Sequence, residues 1–234
     1  MPTLVLLRDG QSQWNLEDRF AGWYDIDITR TGADEAIESG RTLLEAGILP
    51  DVVHTSVQTR AIKTANLALR QMARLWIPVR RHWRLNERHY GGLTGMNRDE
   101  ATKRYGHDQV LIWLRSYDTP PPEMPPGHPD NPNTDPRYAR LAPDVVPTAE
   151  CLKDVVDRIL PYWFDAIVTD LGVHDTVLIA SHSNSLRALV KHLSNIGDDE
   201  ITNVNILTGV PLIYEVDALG RPTMDTPVED RYLR

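Results

Sequence analysis

Two polar segments of this chain have the residue types needed to bind and transfer an anionic group. One short apolar run, 4–7, stops at the segment Arg-Asp-Gly at 8–10, and another, 175–180, stops at the polar segment 181–184. Apolar runs that end this abruptly are typical of buried parallel strands. Ligands of open α/β sheets bind beyond the carboxyl ends of such strands. We therefore expect the two segments to face each other across one pocket if their strands are neighbours.

The side chains expected at this pocket suit a phosphoryl group. Arg8 and Asp9 lie in the first segment, and Arg60 stands at the predicted start of a helix. His182 precedes a further predicted helix, whose free N–H groups and dipole favour an anion. Guanidinium groups bind phosphate oxygens, and an imidazole can act as acid, base or nucleophile. The sequence therefore predicts an anion site formed by Arg8, Arg60, His182 and a helix N-terminus.

The elements that must position these residues alternate between strands and helices. Strands are predicted at 4–7, 50–56, 78–81, 175–180 and 212–216, and helices at 33–45, 59–75, 99–105, 108–117, 148–170 and 186–193. This alternation predicts an α/β fold with a mostly parallel sheet flanked by helices on both faces. No internal repeat or linker divides the chain, so residues 1–234 are predicted to form a single domain.

Two segments are predicted to lack regular structure. The segment 118–147 contains ten of the 17 prolines, and no regular element is expected at that density. A loop this long is either a surface excursion or a lid over the site, and the sequence leaves both open. The second segment, 218–234, is predicted to be a polar C-terminal tail.

Composition limits the classes of partner. The chain has 25 Lys and Arg, 33 Asp and Glu, and a net charge of −8, which argues against general binding to nucleic acids or membrane surfaces. No apolar run is long enough to span a membrane, and Arg8 and Asp9 interrupt the first apolar run before it could form a signal peptide. The single cysteine, Cys151, excludes an internal disulfide framework. We expect a cytoplasmic protein.

Several motifs resemble those of one enzyme family. The stretch Arg-Asp-Gly-Gln-Ser at 8–12 is similar to the phosphohistidine signature Arg-His-Gly-Glu/Gln-Ser of cofactor-dependent phosphoglycerate mutases, in the histidine phosphatase superfamily. Further similar motifs follow in the same order at 20–23, 85–91, 115–122 and 182–192. The resemblance covers nearly the whole chain, and it implies the phosphoglycerate mutase-like α/β fold.

The resemblance also implies roles for individual residues. In such enzymes a first histidine takes and returns a phosphoryl group, a second histidine supports the transfer, and a glutamate donates or accepts a proton. The corresponding catalytic positions here are Asp9, His182 and Glu87. The residues implied to bind phosphate or substrate are Arg8, Ser12, Asn15, Ala21, Gly22, Arg60, Tyr90, Arg98, Arg115, Ser183 and Asn184.

The resemblance further implies the kind of ligand and assembly. The expected substrate is a small phosphorylated or phosphonylated carboxylic acid, and the chain is expected to form a homodimer or homotetramer. The cofactor 2,3-bisphosphoglycerate is expected only if the family's mutase mechanism is retained. The histidines show no metal-ligand spacing, so no metal site is predicted.

Several positions depart from the family pattern, and most fall on the expected pocket. The departures are Asp9 for the nucleophilic histidine, Ala21 for threonine, Arg98 for lysine, Leu114 for arginine, Ser183 for glycine and Leu207 for proline. Asp9 matters most, because its carboxylate is shorter than an imidazole and is ionised at neutral pH. At about 4 Å and an effective dielectric of about 20, its repulsion of a phosphate charge is about 4 kcal/mol. We therefore expect phosphohistidine chemistry to be lost or severely slowed.

Asp9 itself has several possible roles. It could be an electrostatic group, a general base, a replacement nucleophile, or an inert partner of Arg8. The segment 25–29 superficially matches the Asp-x-Asp-x-Thr motif of metal-dependent aspartyl phosphatases, but it does not follow a buried strand. The sequence therefore disfavours an aspartyl phosphate at that segment.

Four functions are compatible with these residues. The first is a repurposed family enzyme that acts on phosphoglycerate or a close analogue without being a competent phosphohistidine mutase. The second is transfer of a phosphoryl or phosphonyl group from an activated donor to a glycerate hydroxyl, as a phosphonate natural-product pathway would require. The third is an ordinary mutase carrying an engineered His-to-Asp change. The fourth is a non-catalytic pseudoenzyme that binds a phosphorylated ligand.

Overall fold

One five-stranded sheet forms the centre of the computed structural model, which describes residues 1–233. Its strands are β1 (Thr3–Arg8), β2 (Val52–Thr55), β3 (Val79–Arg81), β4 (Thr176–Ser181) and β5 (Leu212–Glu215). Their order is β3-β2-β4-β1-β5, with β5 antiparallel to β1 and the other pairs parallel. The predicted fold class is confirmed, since the sheet is mostly parallel.

Helices cover both faces of this sheet. They are α1 (Gln13–Leu16), α2 (Arg30–Glu45), α3 (Thr59–Gln71), α4 (Arg98–Tyr105), α5 (His107–Arg115), α6 (Leu152–Tyr162), α7 (Val168–Leu171) and α8 (Ser183–Leu193). Short 3-10 helices lie at Trp83–Leu85, Gly91–Leu93, Pro132–Thr134, Glu200–Asn203 and Val228–Arg231. A π-helical segment, Trp163–Ile167, joins α6 to α7. The predicted helix 148–170 therefore begins four residues later than expected and is interrupted by that segment.

Successive residues of the central strands alternate between two cores. Val5 and Leu7 pack with the residues of α2 and α3, whereas Leu4 and Leu6 pack with those of α6 and α8. Each of these strand side chains is fully buried, and full burial of one such side chain stabilises the fold by roughly 1.5–3 kcal/mol. Burial on both faces explains why β1 reads as an uninterrupted apolar run.

The proline-rich segment 118–147 contains one regular element, the 3-10 helix Pro132–Thr134, although none was expected. Tyr138 lies buried within the segment, packs 4.8 Å from the ring of Trp23 and accepts a hydrogen bond from Asn86 Nδ2 at 2.8 Å. These contacts anchor the loop beside Trp23, the residue that follows Gly22. A role as a lid stays a prediction.

The C-terminal segment packs more closely than the term polar tail implies. Arg231 is buried and donates hydrogen bonds to the backbone oxygens of Thr226 and Met224. The hydroxyl of Tyr232 donates to the backbone oxygen of Asn205 at 3.0 Å. The segment therefore supports the loop that follows α8, while Arg234 lies outside the described residues. Within 1–233, no helix has both the length and the apolar character needed to cross a membrane.

The contact between α2 and α3 requires a glycine. A Cβ atom added at Gly40 would lie 2.4 Å from the backbone oxygen of Ala68, a distance that forces the helices apart. We expect Gly40→Ala to lower the free energy of unfolding by about 1–3 kcal/mol through overpacking, despite the better helix propensity of alanine. Urea denaturation provides the measurement.

A matched control is Gly172→Ala at the end of α7. Gly172 has a φ of −72°, and its added Cβ would lie 3.4 Å from the nearest atom, the backbone oxygen of Thr169. We expect this control to change stability by less than about 1 kcal/mol. Equal stabilities of the two variants would contradict the proposed close packing.

Candidate active site

The two polar segments meet because β1 and β4 are neighbours. In their parallel register, Arg8 lies opposite Ser181, and Asp9 N donates a hydrogen bond to Ser181 O at 2.8 Å. This register brings Asp9 beside His182, where Asp9 Oδ2 lies 2.9 Å from His182 Nδ1. The sequence-based pairing of the two strand ends is therefore present in the structure.

A third strand end contributes Arg60 and a serine. Arg60 lies in the first turn of α3, which follows β2, and its Nε is 3.0 Å from Asp9 Oδ2. Its Nη1 and Nη2 groups donate to the backbone oxygens of Tyr24 and Gly22, which fixes the orientation of the guanidinium group. Ser56, just after β2, lies 2.8 Å from His182 Nε2 through its Oγ. One carboxylate oxygen of Asp9 therefore contacts both Arg60 and His182.

This cluster holds Asp9 in its charged form. Only 6% of Asp9, 3% of Arg60 and 0% of His182 is exposed. Burial by itself would raise the pKa of the Asp9 carboxyl, but His182, Arg60 and Arg8 oppose it and hold that pKa below its usual value. The carboxylate therefore acts as an internal anion among groups that could otherwise bind an external one.

A pocket of about 220 Å³ opens in front of this cluster. Its walls include six arginines, of which Arg8, Arg60, Arg98 and Arg115 were predicted from the sequence. The other predicted site residues on its walls are Asp9, Asn15, Ala21, Gly22, Glu87, Tyr90, Ser183 and Asn184. Asp9 and Glu87 are the acidic residues among the described walls, so the pocket is predominantly cationic.

Two predicted site residues are absent from the pocket walls. Ser12 is the N-cap of α1, where its Oγ accepts a hydrogen bond from Asn15 N, and Asn15 Oδ1 accepts from Ser12 N in return. The capping of α1 therefore accounts for the hydrogen bonds of Ser12. His182 lies beneath Asp9, with both ring nitrogens engaged by Asp9 and Ser56.

Glu87 lies at the start of α8 and is held by main-chain donors. Its Oε1 accepts hydrogen bonds from the backbone nitrogens of Arg88 at 2.7 Å and Asn184 at 3.2 Å. Asn184 Nδ2 in turn donates to the hydroxyl of Tyr90 at 3.1 Å. Glu87, Asn184 and Tyr90 thus form one connected wall, consistent with binding or with proton transfer at Glu87.

Polar contacts orient two further predicted arginines of the pocket walls, Arg98 and Arg8. Arg98 is half-exposed and forms an ion pair with Asp18, with Nε and Oδ1 2.9 Å apart. Arg8 Nη1 donates to the backbone oxygen of Ile206 at 2.7 Å. These contacts orient both guanidinium groups on the pocket walls, and the buried Nε of Arg8 has no hydrogen-bond partner within residues 1–233.

The segment 25–29 has a structural role. Asp25 accepts hydrogen bonds from the backbone nitrogen and hydroxyl of Thr59 and forms an ion pair with Arg137. Asp27 pairs with Lys63. Among the described residues, no group of three or more His, Cys, Asp or Glu is placed to hold a metal ion. The partners of both aspartates are therefore those of structural residues.

Sequence reasoning missed several residues of the pocket walls. They are Arg19, Phe20, Arg187 and Asn205, while Leu114 was noted only as a departure. Arg187 follows Asn184 by three residues on α8, and residues at this spacing share one helix face. That spacing could have indicated that Arg187 lies on the same side of α8 as Asn184. Asn205 carried no comparable signal, because it reaches the pocket through an irregular loop.

Comparisons with known proteins agree with this geometry. Residues 4–130 match the model of the histidine phosphatase superfamily (branch 1). The chain is 56% identical to a 2,3-bisphosphoglycerate-dependent phosphoglycerate mutase of Thermobifida fusca, over 93% of this chain and 88% of that protein. It is 55% identical to a protein of the same name from Erythrobacter litoralis, over 95% and 96% of the two chains.

Solved structures agree in fold at lower identity. Bacillus stearothermophilus YhfR has a TM-score of 0.69 and 24% identity, over 95% of this chain and 94% of that one. A mycobacterial glucosyl-3-phosphoglycerate phosphatase has a TM-score of 0.68 and 18% identity, over 92% and 93% of the two chains. The chain belongs to the histidine phosphatase superfamily. Within that superfamily, it is a member of the family of 2,3-bisphosphoglycerate-dependent phosphoglycerate mutases.

Removal of the internal anion is expected to create a phosphate site. Asp9→Ala leaves Arg60 Nε and His182 Nδ1 without the carboxylate that contacts both, so an external anion can occupy its place beside the Arg60 guanidinium group. We expect inorganic phosphate to bind Asp9→Ala at least about 10-fold more tightly than wild type. Isothermal titration calorimetry at pH 7 provides the measurement.

The control Asp217→Ala removes an aspartate paired with Arg221 outside the pocket, and its phosphate affinity should equal that of wild type. Without phosphate, Asp9→Ala should lose on the order of 3 kcal/mol of stability at pH 7, because it leaves buried charges unpaired. The lowered pKa of Asp9 stabilises the fold above the unfolded value of about 3.9, so this loss should shrink as pH falls below 4. Unchanged phosphate affinity in folded Asp9→Ala would contradict the internal-anion role.

Proposed function

We propose that this chain is an enzyme that binds phosphoglycerate or a close analogue and works without a phosphohistidine. The observation that carries this proposal is the Asp9 carboxylate, bound by both Arg60 and His182 at the position of the family's nucleophile. An ionised carboxylate repels an incoming phosphoryl group. His182 does not replace the missing nucleophile, because Asp9 and Ser56 engage both of its ring nitrogens.

The substrate class follows from the charge of the pocket. Six arginines on its walls suit a small molecule with a carboxylate and a phosphate, the two groups that guanidinium binds in a bidentate manner. The curated relatives named phosphoglycerate mutase, at 50–56% identity, support the same class. The pocket suits 2,3-bisphosphoglycerate as an anion. With Asp9 at the position of the nucleophile, 2,3-bisphosphoglycerate has no residue there to phosphorylate. The proposed reaction therefore has no step in which this molecule donates a phosphoryl group to the protein.

Loss of the phosphoryl shuttle is directly testable. We expect wild type to interconvert 2- and 3-phosphoglycerate more than about 10³-fold more slowly than a competent mutase, because each phosphorylation step would need a nucleophile. It should also take no label from ³²P-labelled 2,3-bisphosphoglycerate. A coupled mutase assay and gel autoradiography provide the measurements.

The variant Asp9→His separates a repurposed pocket from an engineered or recently inactivated mutase. Because Leu114 and Ser183 also line the pocket, we expect Asp9→His to leave mutase activity close to that of wild type. Asp9→Asn is the matched control, since it removes the charge without supplying an imidazole. Full mutase activity in Asp9→His would overturn the repurposing proposal and favour an ordinary mutase.

A second candidate function is direct transfer from an activated donor to a glycerate hydroxyl. The observation in its favour is that Asp9 Oδ2 makes both the hydrogen bond to His182 and the ion pair with Arg60, while Oδ1 has no hydrogen bond among residues 1–233. In this reaction the hydroxyl oxygen bonds to phosphorus, the bond from phosphorus to the leaving group breaks, and Oδ1 accepts the hydroxyl proton. A carboxylate of low pKa is a strong enough base for this step, as it is in kinases. The reason is that the transition state of phosphoryl transfer is loose.

Donor screening with 3-phosphoglycerate as acceptor tests this candidate. The donors are acetyl phosphate, nucleoside triphosphates and nucleotide-activated phosphonates, and ³¹P NMR reports the product. For any donor that reacts, we expect Asp9→Asn to lower kcat by about 10²–10⁴-fold, while the Michaelis constant for the acceptor changes by no more than a few-fold. An unchanged kcat would remove Asp9 from the reaction. Tight binding without turnover of any donor would instead favour the non-catalytic alternative.

A further inference from the structure

Gln58 is a fully buried amide at a position where shorter polar side chains are usual. It is the N-cap of α3, where Ser, Thr, Asp or Asn normally bond to the first turn of a helix through their side chains. The side chain of Gln58 makes no such cap hydrogen bond. The carboxylate of Asp25 accepts instead from the backbone nitrogen of Thr59, so another residue serves this end of the helix. The long amide of Gln58 therefore acts elsewhere in the fold.

This amide joins two segments that are distant in the sequence. Gln58 Nε2 donates a hydrogen bond to the backbone oxygen of Gly22 at 2.8 Å, and Gln58 Oε1 accepts one from the backbone nitrogen of Glu87 at 2.8 Å. A carbonyl can only accept and a backbone N–H can only donate, so the two partners fix the orientation of the amide. A side chain at this position must therefore supply one donor and one acceptor.

The first of these partners orients Arg60. The backbone oxygen of Gly22 also accepts a hydrogen bond from Arg60 Nη2 at 2.7 Å, so Gln58 and Arg60 share one acceptor. Arg60 Nε in turn lies 3.0 Å from Asp9 Oδ2. A shift of the Gly22 carbonyl group would therefore move the guanidinium group that pairs with Asp9.

The second partner carries a carboxylate of the opposite wall. Glu87 Oε1 accepts from the backbone nitrogens of Arg88 and Asn184, while the backbone nitrogen of Glu87 donates to Gln58. Without Gln58 Oε1, that nitrogen would be a buried donor without its partner, which is costly enough to displace the main chain. The position of the Glu87 carboxylate therefore depends on the amide of Gln58.

We propose that Gln58 is a positioning residue of the active site, which sets the separation of Arg60 and Glu87 across the pocket. Arg60, Gly22 and Glu87 line the pocket, whereas Gln58 is not among the described residues of its walls. Gln58 therefore acts on a ligand through these neighbours. The identity of that ligand as a phosphoglycerate rests on the proposed function.

Calorimetric titration of the full chain tests this role with two probes, 3-phosphoglycerate and inorganic phosphate. Gln58→Met keeps the length of the side chain and removes both its donor and its acceptor. We expect this variant to bind both probes about 10-fold more weakly than wild type, because the walls that carry Arg60 and Glu87 lose their common support.

Gln58→Glu provides a signature in the pH dependence of binding. When ionised, the introduced carboxyl group accepts from Glu87 N but has no proton for the oxygen of Gly22, and when protonated it makes both hydrogen bonds. Burial and the neighbouring carboxylate of Glu87 favour the protonated form, against the opposing charge of Arg60. We expect the affinity of Gln58→Glu for 3-phosphoglycerate, relative to wild type at the same pH, to rise at least about 3-fold from pH 8 to pH 5. The same ratio for Gln58→Met should stay constant.

The matched control is Tyr214→Phe. Tyr214 is also fully buried, its hydroxyl group lies 2.9 Å from Ser194 Oγ, and it is not among the described residues of the pocket walls. The control therefore removes a buried hydrogen bond without touching the site, and it should bind both probes as wild type does. If Gln58→Met fails to fold, the pH dependence of Gln58→Glu against this control decides the matter.

The outcomes separate this role from the proposed function. Unchanged affinities in folded Gln58→Met, or a constant affinity ratio for Gln58→Glu between pH 8 and pH 5, would overturn the positioning role and leave the substrate class intact. Phosphate binding that depends on Gln58, together with no binding of 3-phosphoglycerate, would support the role and overturn phosphoglycerate as the ligand. Failure of wild type to bind either probe would overturn both.

Discussion

The site depends on one buried interaction, the carboxylate of Asp9 held between Arg60 and His182. Removing three ionisable groups from water is costly, and only close, well-oriented pairing offsets that cost. The pairing requires β1 and β4 to be adjacent and α3 to begin immediately beyond β2. The contacts of Asp9 therefore depend directly on the strand order of the sheet. Gly22 belongs to the same constraint, because its carbonyl oxygen fixes the guanidinium group of Arg60.

Much of the fold was predictable because burial on both faces leaves a simple pattern. The apolar run of β1 and that of β4 predicted strands, and the alternation with helices predicted a mostly parallel sheet. The antiparallel direction of β5 was not predictable, since a short apolar segment looks the same in either direction. The helix α1 was missed because four residues carry no periodicity, and its capping box uses Ser12 and Asn15, which were assigned to the ligand.

The residue types of the site were predictable from the sequence, but the burial of each residue was not. The motifs identified Asp9 and His182 as partners, yet they could not show that Asp9 would cover His182 and exclude it from the pocket walls. That arrangement follows from tertiary hydrogen bonds, including the one between His182 and Ser56. Arg187 was missed for a related reason, because an arginine on a helix that also carries Lys191 and His192 looks like a surface residue until its neighbours are known.

In the proposed function, an aspartate in place of the family's nucleophile changes what the rest of the pocket must do. An enzyme that stores a phosphoryl group on its nucleophile binds donor and acceptor one after the other, so a single anion site beside the nucleophile is enough. Without that nucleophile, donor and acceptor must be bound together, and their anionic groups need separate cations. Among the arginines of the pocket walls, Arg60 pairs with Asp9, whereas the buried Nε atoms of Arg8 and Arg187 have no hydrogen-bond partner within residues 1–233.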